Sequence, residues 1–197
     1  MNALLLASLV VGQATTAPDL RYMQPARYFA GSPADPEATG GYASSNNLPS
    51  ALFQRGNGLT ANLEKGKSGV LLRLGNAGPP EVWLRAADSN LTAFLEAKDK
   101  SGTWKPVEYH HQITCGNSWH RVLLPAQHAW TFSVALPAGD VKTQIRWHFK
   151  SAELDLVSNA LNFTLARTRF EIEPGLRGQY SLTTQNEMPT LAYNRGG

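Results

Sequence analysis

Through the middle of the chain, apolar and polar residues alternate with a period of two. Trp130, Phe132, Val134 and Leu136 alternate with Thr131, Ser133 and Ala135. Val141, Ile145, Trp147 and Phe149 alternate with Lys142, Gln144, Arg146 and His148, and Leu161, Phe163 and Leu165 with Asn162, Thr164 and Ala166. Such alternation predicts strands with one face on a core. Further strands are expected at Leu59–Leu63, Val70–Leu74, Val82–Ala86, Leu91–Ala97, Trp104–Cys115, Trp119–Leu124 and Arg169–Ile172. Turn-forming clusters separate them at Gly56-Asn57-Gly58, Gly75 to Pro80, Asp99 to Gly102, Pro125-Ala126 and Pro137 to Asp140. Strands at roughly ten-residue spacing without a helical period predict an all-β fold, an antiparallel β-sandwich or barrel.

The flanks lack this pattern. Residues 18–55 are rich in Pro, Gly, Ser and Asn and read as a linker or irregular N-terminal segment; residues 174–197 read as a polar C-terminal tail. The sandwich is expected over 56–173. At the N-terminus, the apolar run Ala3–Val11 followed by small residues resembles a secretory signal over 1–17. That implies a secreted or periplasmic protein, and the run is too short to span a membrane. Cys115 is the only cysteine, so no internal disulfide can form.

The 42% apolar content fits a folded domain, and a charged fraction of only 17% fits many short elements joined by turns. Net charge is +3, from 18 basic and 15 acidic residues without a like-charged run. Charge this small and scattered predicts no nucleic-acid partner.

The segment LLPAQHAWTFSVALPAGDVKTQIRWHF, followed by LVSNALNFTL, resembles the closing strands of bacterial secreted immunoglobulin-like or fibronectin-like β-sandwich domains. A Leu-Pro before a Trp-x-Phe strand, a Pro-Gly turn, a long alternating strand and a Ser-Asn before the last strand carry the resemblance, over about residues 58–172. It implies an immunoglobulin-like architecture, with a jelly roll as the alternative, and no particular activity.

Reactive side chains crowd into Trp104–Trp130, which holds four of the five histidines, the only cysteine and three of the five tryptophans. His111, Cys115, His120 and His128 are the candidate metal ligands. On a single strand, Tyr109, His111, Ile113 and Cys115 share a face and are expected to point inward, which leaves His111 and Cys115 roughly 13 Å apart. A blue-copper site needs a histidine well upstream, and none precedes His110. Gln112 to Trp119 resembles the papain-type motif with Ser118 in place of the nucleophile, but only 78 residues follow Trp119 and they read as strands. Ser118 with His110 or His120, oriented by Glu108, contains the residue types of a hydrolase. Against it, Cys115 to Ser118 reads as a tight turn in which Gly116 and Asn117 supply positive φ. No catalytic residues and no cofactor are assigned.

Alternation also leaves large residues on the outer faces. With Leu72, Leu84, Leu91 and Leu95 inward, Leu71, Trp83 and Phe94 point out beside Arg85. Trp83, Arg85, Phe94, Trp104 and Trp119 are therefore the candidate contact residues for a protein or polysaccharide partner, unless a segment carrying Leu20, Tyr22, Tyr28, Phe29 and Tyr42 folds across them. The expected function is an exported, non-enzymatic binding or assembly module of the bacterial envelope, with carbohydrate binding, and a metal protein or hydrolase, as alternatives. Oligomeric state is left open.

Overall fold

A computed structural model describes residues 22–34, 44–52, 57–111, 113, 115–137, 139–151, 154–176 and 180–181. The signal-like start, Leu20, Tyr42, Gln112 and most of the C-terminal tail lie outside the described residues.

The strands are β1 (Gln24–Pro25), β2 (Ser50–Ala51), β3 (Leu59–Lys65), β4 (Gly69–Asn76), β5 (Val82–Ala87), β6 (Asn90–Leu91), β7 (Ala93–Lys98), β8 (Trp104–Pro106), β9 (Glu108–His111), β10 (Trp119–Leu124), β11 (His128–Ala135), β12 (Val141–Lys150), β13 (Asp155–Val157), β14 (Leu161–Leu165) and β15 (Tyr180–Ser181). They form an all-β sandwich. One layer runs β2-β11-β4-β3; the other runs β8-β7-β12, with β13 and β14 both on the far edge of β12. The long strand β12 takes β14 along Val141–Ile145 and β13 along His148–Lys150. A third sheet, β10-β5-β6, joins the second layer through the bend at Thr92, and the short sheet β1-β9-β15 includes a parallel β1–β9 pair.

The alternating residues fill one core. Leu72, Leu74, Trp130 and Phe132 from the first layer meet Leu95, Ile145, Trp147 and Phe149 from the second. Fully burying a large apolar side chain contributes about 1.5–3 kcal/mol, so these aromatics dominate the stabilisation. The Trp130 indole N–H is also satisfied, donating to the Gly31 carbonyl at 3.0 Å.

Three expectations are refined. Of the two readings of residues 18–55, linker or irregular segment, the described part fits the second: apart from the short strands β1 and β2 it is irregular, and it packs onto the core. Tyr28 is fully buried, edge-on to Phe132 at 5.7 Å and tilted against Trp147 at 5.4 Å. Residues 44–48 dock beside it, with Asn47 Nδ2 donating to the Phe29 and Thr131 carbonyls. Second, the strand expected at Arg169–Ile172 is a 3-10 turn over Arg167–Phe170, in which Arg169 N–H reaches the Ala166 carbonyl and the Arg169 side chain is buried. Third, the expected strand Trp104–Cys115 breaks at Val107: its N–H still reaches the Leu95 carbonyl opposite, but the Leu95 N–H goes to the Glu108 carboxylate.

The Ser-Asn before the last strand ties the two layers together. Ser158 exchanges backbone and side-chain hydrogen bonds with Trp147, accepting its N–H at 2.9 Å. Asn159 Oδ1 accepts from Leu63 N–H at 2.8 Å, and its Nδ2 donates to the Leu63 carbonyl at 2.9 Å. Thus Asn159 bonds β3 as a neighbouring strand would. Asn159→Ala removes both bonds and is expected to cost about 1–3 kcal/mol, read as a lower denaturation midpoint at constant m-value. Asn159→Asp keeps only the acceptor and is expected to recover part of that loss; an unchanged midpoint in both variants contradicts the tie.

Candidate functional site

The structure disperses the histidine and cysteine cluster. Both faces are covered at the start of β9, where Glu108 and Tyr109 are buried side by side; of the set expected inward, Tyr109 is buried, whereas His111 and Cys115 are exposed. Among the described residues no group of three or more His, Cys, Asp or Glu side chains converges on a metal position. His128 Nδ1 donates to the Ala126 carbonyl at 2.9 Å. His120 is buried, and its Nδ1 donates to the Ser118 carbonyl at 3.0 Å. A carbonyl only accepts, so the proton sits on Nδ1 and Nε2 is left to accept from the Ser89 hydroxyl, at 3.4 Å. This is a Ser–His pair, but Ser89 is itself buried at the turn between β5 and β6. Ser118 is buried in a 3-10 turn over Gly116–Ser118; Gly116 and Asn117 are not among the residues at positive φ, correcting the expected left-handed turn.

The candidate contact residues are also redistributed. Phe94 is only 3% exposed: the outer face of β7 is covered by His148, with ring centroids 5.4 Å apart, and His110, at 6.5 Å. Beside it, Glu96 bonds Arg146 Nε at 2.6 Å, and His148 lies 3.2 Å from Glu96 and 2.9 Å from Asp155. The Glu96 carboxylate, followed by Asp155, raises the His148 pKa above its ordinary value against the effect of burial. Trp104 lies under Arg146 at 4.4 Å and Lys98 at 5.1 Å, so cations cover the indole expected to stack on sugars. Trp119 is 7% exposed, with Arg85 over its ring at 5.1 Å, and Trp83 is half-buried. No continuous aromatic platform joins these residues.

Inside the protein, Glu108 forms a charged cluster with Tyr28 and Arg169. Its Oε2 accepts from the Tyr28 hydroxyl at 2.5 Å and from Leu95 N–H at 2.8 Å. Burial pushes the Glu108 pKa up to about 7; the two hydrogen bonds and the positive charge of Arg169 pull against that rise. Arg169, also buried, donates to the Tyr22 carbonyl at 3.2 Å.

A cleft of about 1510 Å³ lies at one end of the sandwich. Four chain segments bring its cations: the β3–β4 turn Lys65 and Lys67; the end of β7, the following loop and β8 Lys98, Lys100 and Lys105; the start of β12 Lys142; and the turn after β14 Arg167. Among the described residues, seven Lys and Arg side chains, of 18 in the chain, thus line one cleft, against two acids, Asp99 and Glu171. Asp99 is already occupied. It accepts from the Ser101 hydroxyl at 2.6 Å and from the backbone of Ser101 and Thr103, and pairs with Lys105 at 3.1 Å. The Ser101 hydroxyl, then Lys105, hold its carboxyl well below the usual range. The cationic rim surrounds an apolar set: buried Leu136 with half-buried Val141, Phe163 and Phe170. No helix among the described residues is long and apolar enough to cross a membrane.

Sequence reasoning missed this site because its lysines come from separate turns and form no run. Comparison with family models, with curated proteins and with solved structures gives no match, so the cleft is interpreted from its own geometry.

Proposed function

We propose that the chain is a non-enzymatic β-sandwich binding module whose lysine-rimmed cleft takes an acidic, partly apolar segment of a partner protein. The observation that carries this is the gathering of seven cationic side chains around Leu136, Val141, Phe163 and Phe170. Ligand pockets for small molecules run to roughly 300–1,000 Å³; a cleft of about 1510 Å³ suits an extended segment better. Carboxylates on that segment meet the rim, which accelerates encounter and makes binding salt-dependent. Its apolar side chains meet the floor. The resemblance to immunoglobulin-like modules supports binding over catalysis, and the leader-like run Ala3–Val11 supports an exported, envelope setting.

Titration of a labelled peptide alternating Glu with Leu and Phe, followed by fluorescence anisotropy, tests the proposal. Saturable binding is expected, weakened at least tenfold by the double change Lys67→Glu and Lys142→Glu and by high salt. Both lysines are exposed, so the variant is expected to fold as the parent does. A polyuronate chain and a short single-stranded DNA serve as control polyanions. Absence of peptide binding, or tighter binding of either control, overturns the acidic-protein proposal; tighter polyuronate binding moves the function to carbohydrate recognition.

A further inference from the structure

The outer face of β7 and β12 carries a chain of charged side chains that ends on the short strand β13. Arg146 on β12 lies over the Trp104 ring and pairs with Glu96 on β7 at 2.6 Å. His148, two residues further along β12 and 7% exposed, comes next. Its Nδ1 lies 3.2 Å from Glu96 Oε1, out of line for a hydrogen bond but close enough for an ion pair. Its Nε2 is hydrogen-bonded to Asp155 Oδ1 on β13 at 2.9 Å.

Both ring nitrogens therefore face carboxylate oxygens. Only the imidazolium suits that arrangement, because a neutral ring has one N–H and must turn a lone pair towards one of the two acids. The neighbours do not replace its charge. From β12, Lys150 reaches the other oxygen of Asp155 at 3.7 Å. From β7, Phe94 lies against the His148 ring, and beyond it is His110 of β9, which burial holds neutral above about pH 4. Glu96 has Arg146 as a second cation, whereas the nearest cation to Asp155, whose side chain is 63% exposed, is His148.

Strand β13 is lightly held. It is the return arm of a hairpin whose turn is closed by Ser151 N–H on the Leu154 carbonyl and by Leu154 N–H on the Ser151 hydroxyl. At its other end Ser158 N–H bonds the Trp147 carbonyl, so by antiparallel alternation Phe149 and Leu156 are the hydrogen-bonded pair between these anchors. Leu156 rests on the core and is half-buried.

We propose that His148 is a proton-operated clasp: the imidazolium holds β13 onto β12 and β7, and loss of its proton loosens this hairpin arm between its turn and Ser158. The Glu96 carboxylate, then Asp155, raise the His148 pKa above its ordinary 6.5. The clasp is thus fully closed below that value and opens as pH rises through the higher, folded one. Both acids stay ionised throughout: burial works against it, but His148 and Arg146 keep the Glu96 carboxyl below its ordinary range, and His148 does the same for Asp155.

NMR titration of the histidine rings, with amide hydrogen exchange on the full chain, tests the clasp. The His148 ring is expected to titrate above the ordinary histidine value, and lower in Asp155→Asn than in wild type. Protection factors of the Phe149 and Leu156 amides are taken relative to those of β14, on the same edge of β12. This ratio is expected to fall about threefold between pH 6 and pH 9, and the reference to β14 removes the global loss that Glu108 brings over that range. In Asp155→Asn, an exposed change, the ratio is expected to be low at pH 6 and flat with pH. A His148 ring that titrates at or below the ordinary value, a wild-type ratio that does not change with pH, or the same change in Asp155→Asn overturns the proposal.

Discussion

Deleting residues 1–34 is expected to abolish folding. The deletion removes Tyr28, Ala26, Ala30 and Met23 from the core. It also removes the acceptor of the Trp130 indole, the acceptor of Leu91 N–H, and the Ser32 hydroxyl that accepts Leu123 N–H at 3.0 Å. Truncating one buried aromatic costs about 3–5 kcal/mol, and each buried polar group left unpaired about 1–3 kcal/mol. Together these losses are as large as the roughly 5–15 kcal/mol that separates folded from unfolded chains. Far-UV circular dichroism and a proton–nitrogen correlation spectrum check it. A dispersed spectrum and a cooperative unfolding transition in the deleted protein contradict the integral role of this segment. Tyr28→Phe, which removes only the hydroxyl donated to Glu108, is expected to fold with a moderate loss.

Glu108 gives the second large effect. Glu108→Ala strips the acceptor from both the Tyr28 hydroxyl and Leu95 N–H and leaves a cavity, an expected cost of about 3–5 kcal/mol at pH 5. Glu108→Gln keeps an acceptor and is expected to cost far less. Its pH dependence has a definite sign. The folded pKa of about 7 stands above the ordinary 4.5, so between these values the folded state holds a proton that the unfolded state has released. Stability therefore falls as pH rises through that window. The shift corresponds to about 3 kcal/mol, an order-of-magnitude figure. His110 has the opposite effect: its folded pKa of about 4 lies below the ordinary 6.5, so its share of stability grows as pH rises from 4 to 6.5. The two slopes oppose each other in the wild type. Glu108→Gln removes one of them, so its stability relative to wild type is expected to climb by about 3 kcal/mol between pH 4.5 and pH 8. Urea denaturation across that range measures the difference; a flat difference means that Glu108 ionises normally.

How far the sequence discloses this molecule depends on what each position carries. The strand β10 runs over Trp119–Leu124 as the alternation predicts, and β3, β4, β5, β11, β12 and β14 lie within a few residues of expectation, because one face of each is on the core. Residues 26–30 also alternate between buried and exposed, yet the pattern is hidden. The buried positions at 26 and 30 carry alanine, while the exposed position 29 carries phenylalanine. On β9 both Glu108 and Tyr109 are buried, so a rule that covers one face of a strand misses the carboxylate and places the exposed His111 inward. Phe94 was expected outside because β7 was treated as having one covered face; paired histidines cover the other. The cleft depends on turns that meet only after folding, and local charge counting does not register such a meeting.

Asn159 has a consequence for the behaviour of the protein in concentrated solution. Among the described residues β3 pairs in its sheet only with β4, so its outer side is an edge there. Unprotected edges recruit strands from neighbouring molecules and seed aggregates. Asn159 holds both backbone groups of Leu63, midway along that edge, and a foreign strand cannot pair there without displacing it. One side chain therefore discourages β-addition by a second copy, and the same residue that joins the two layers helps keep separate molecules apart.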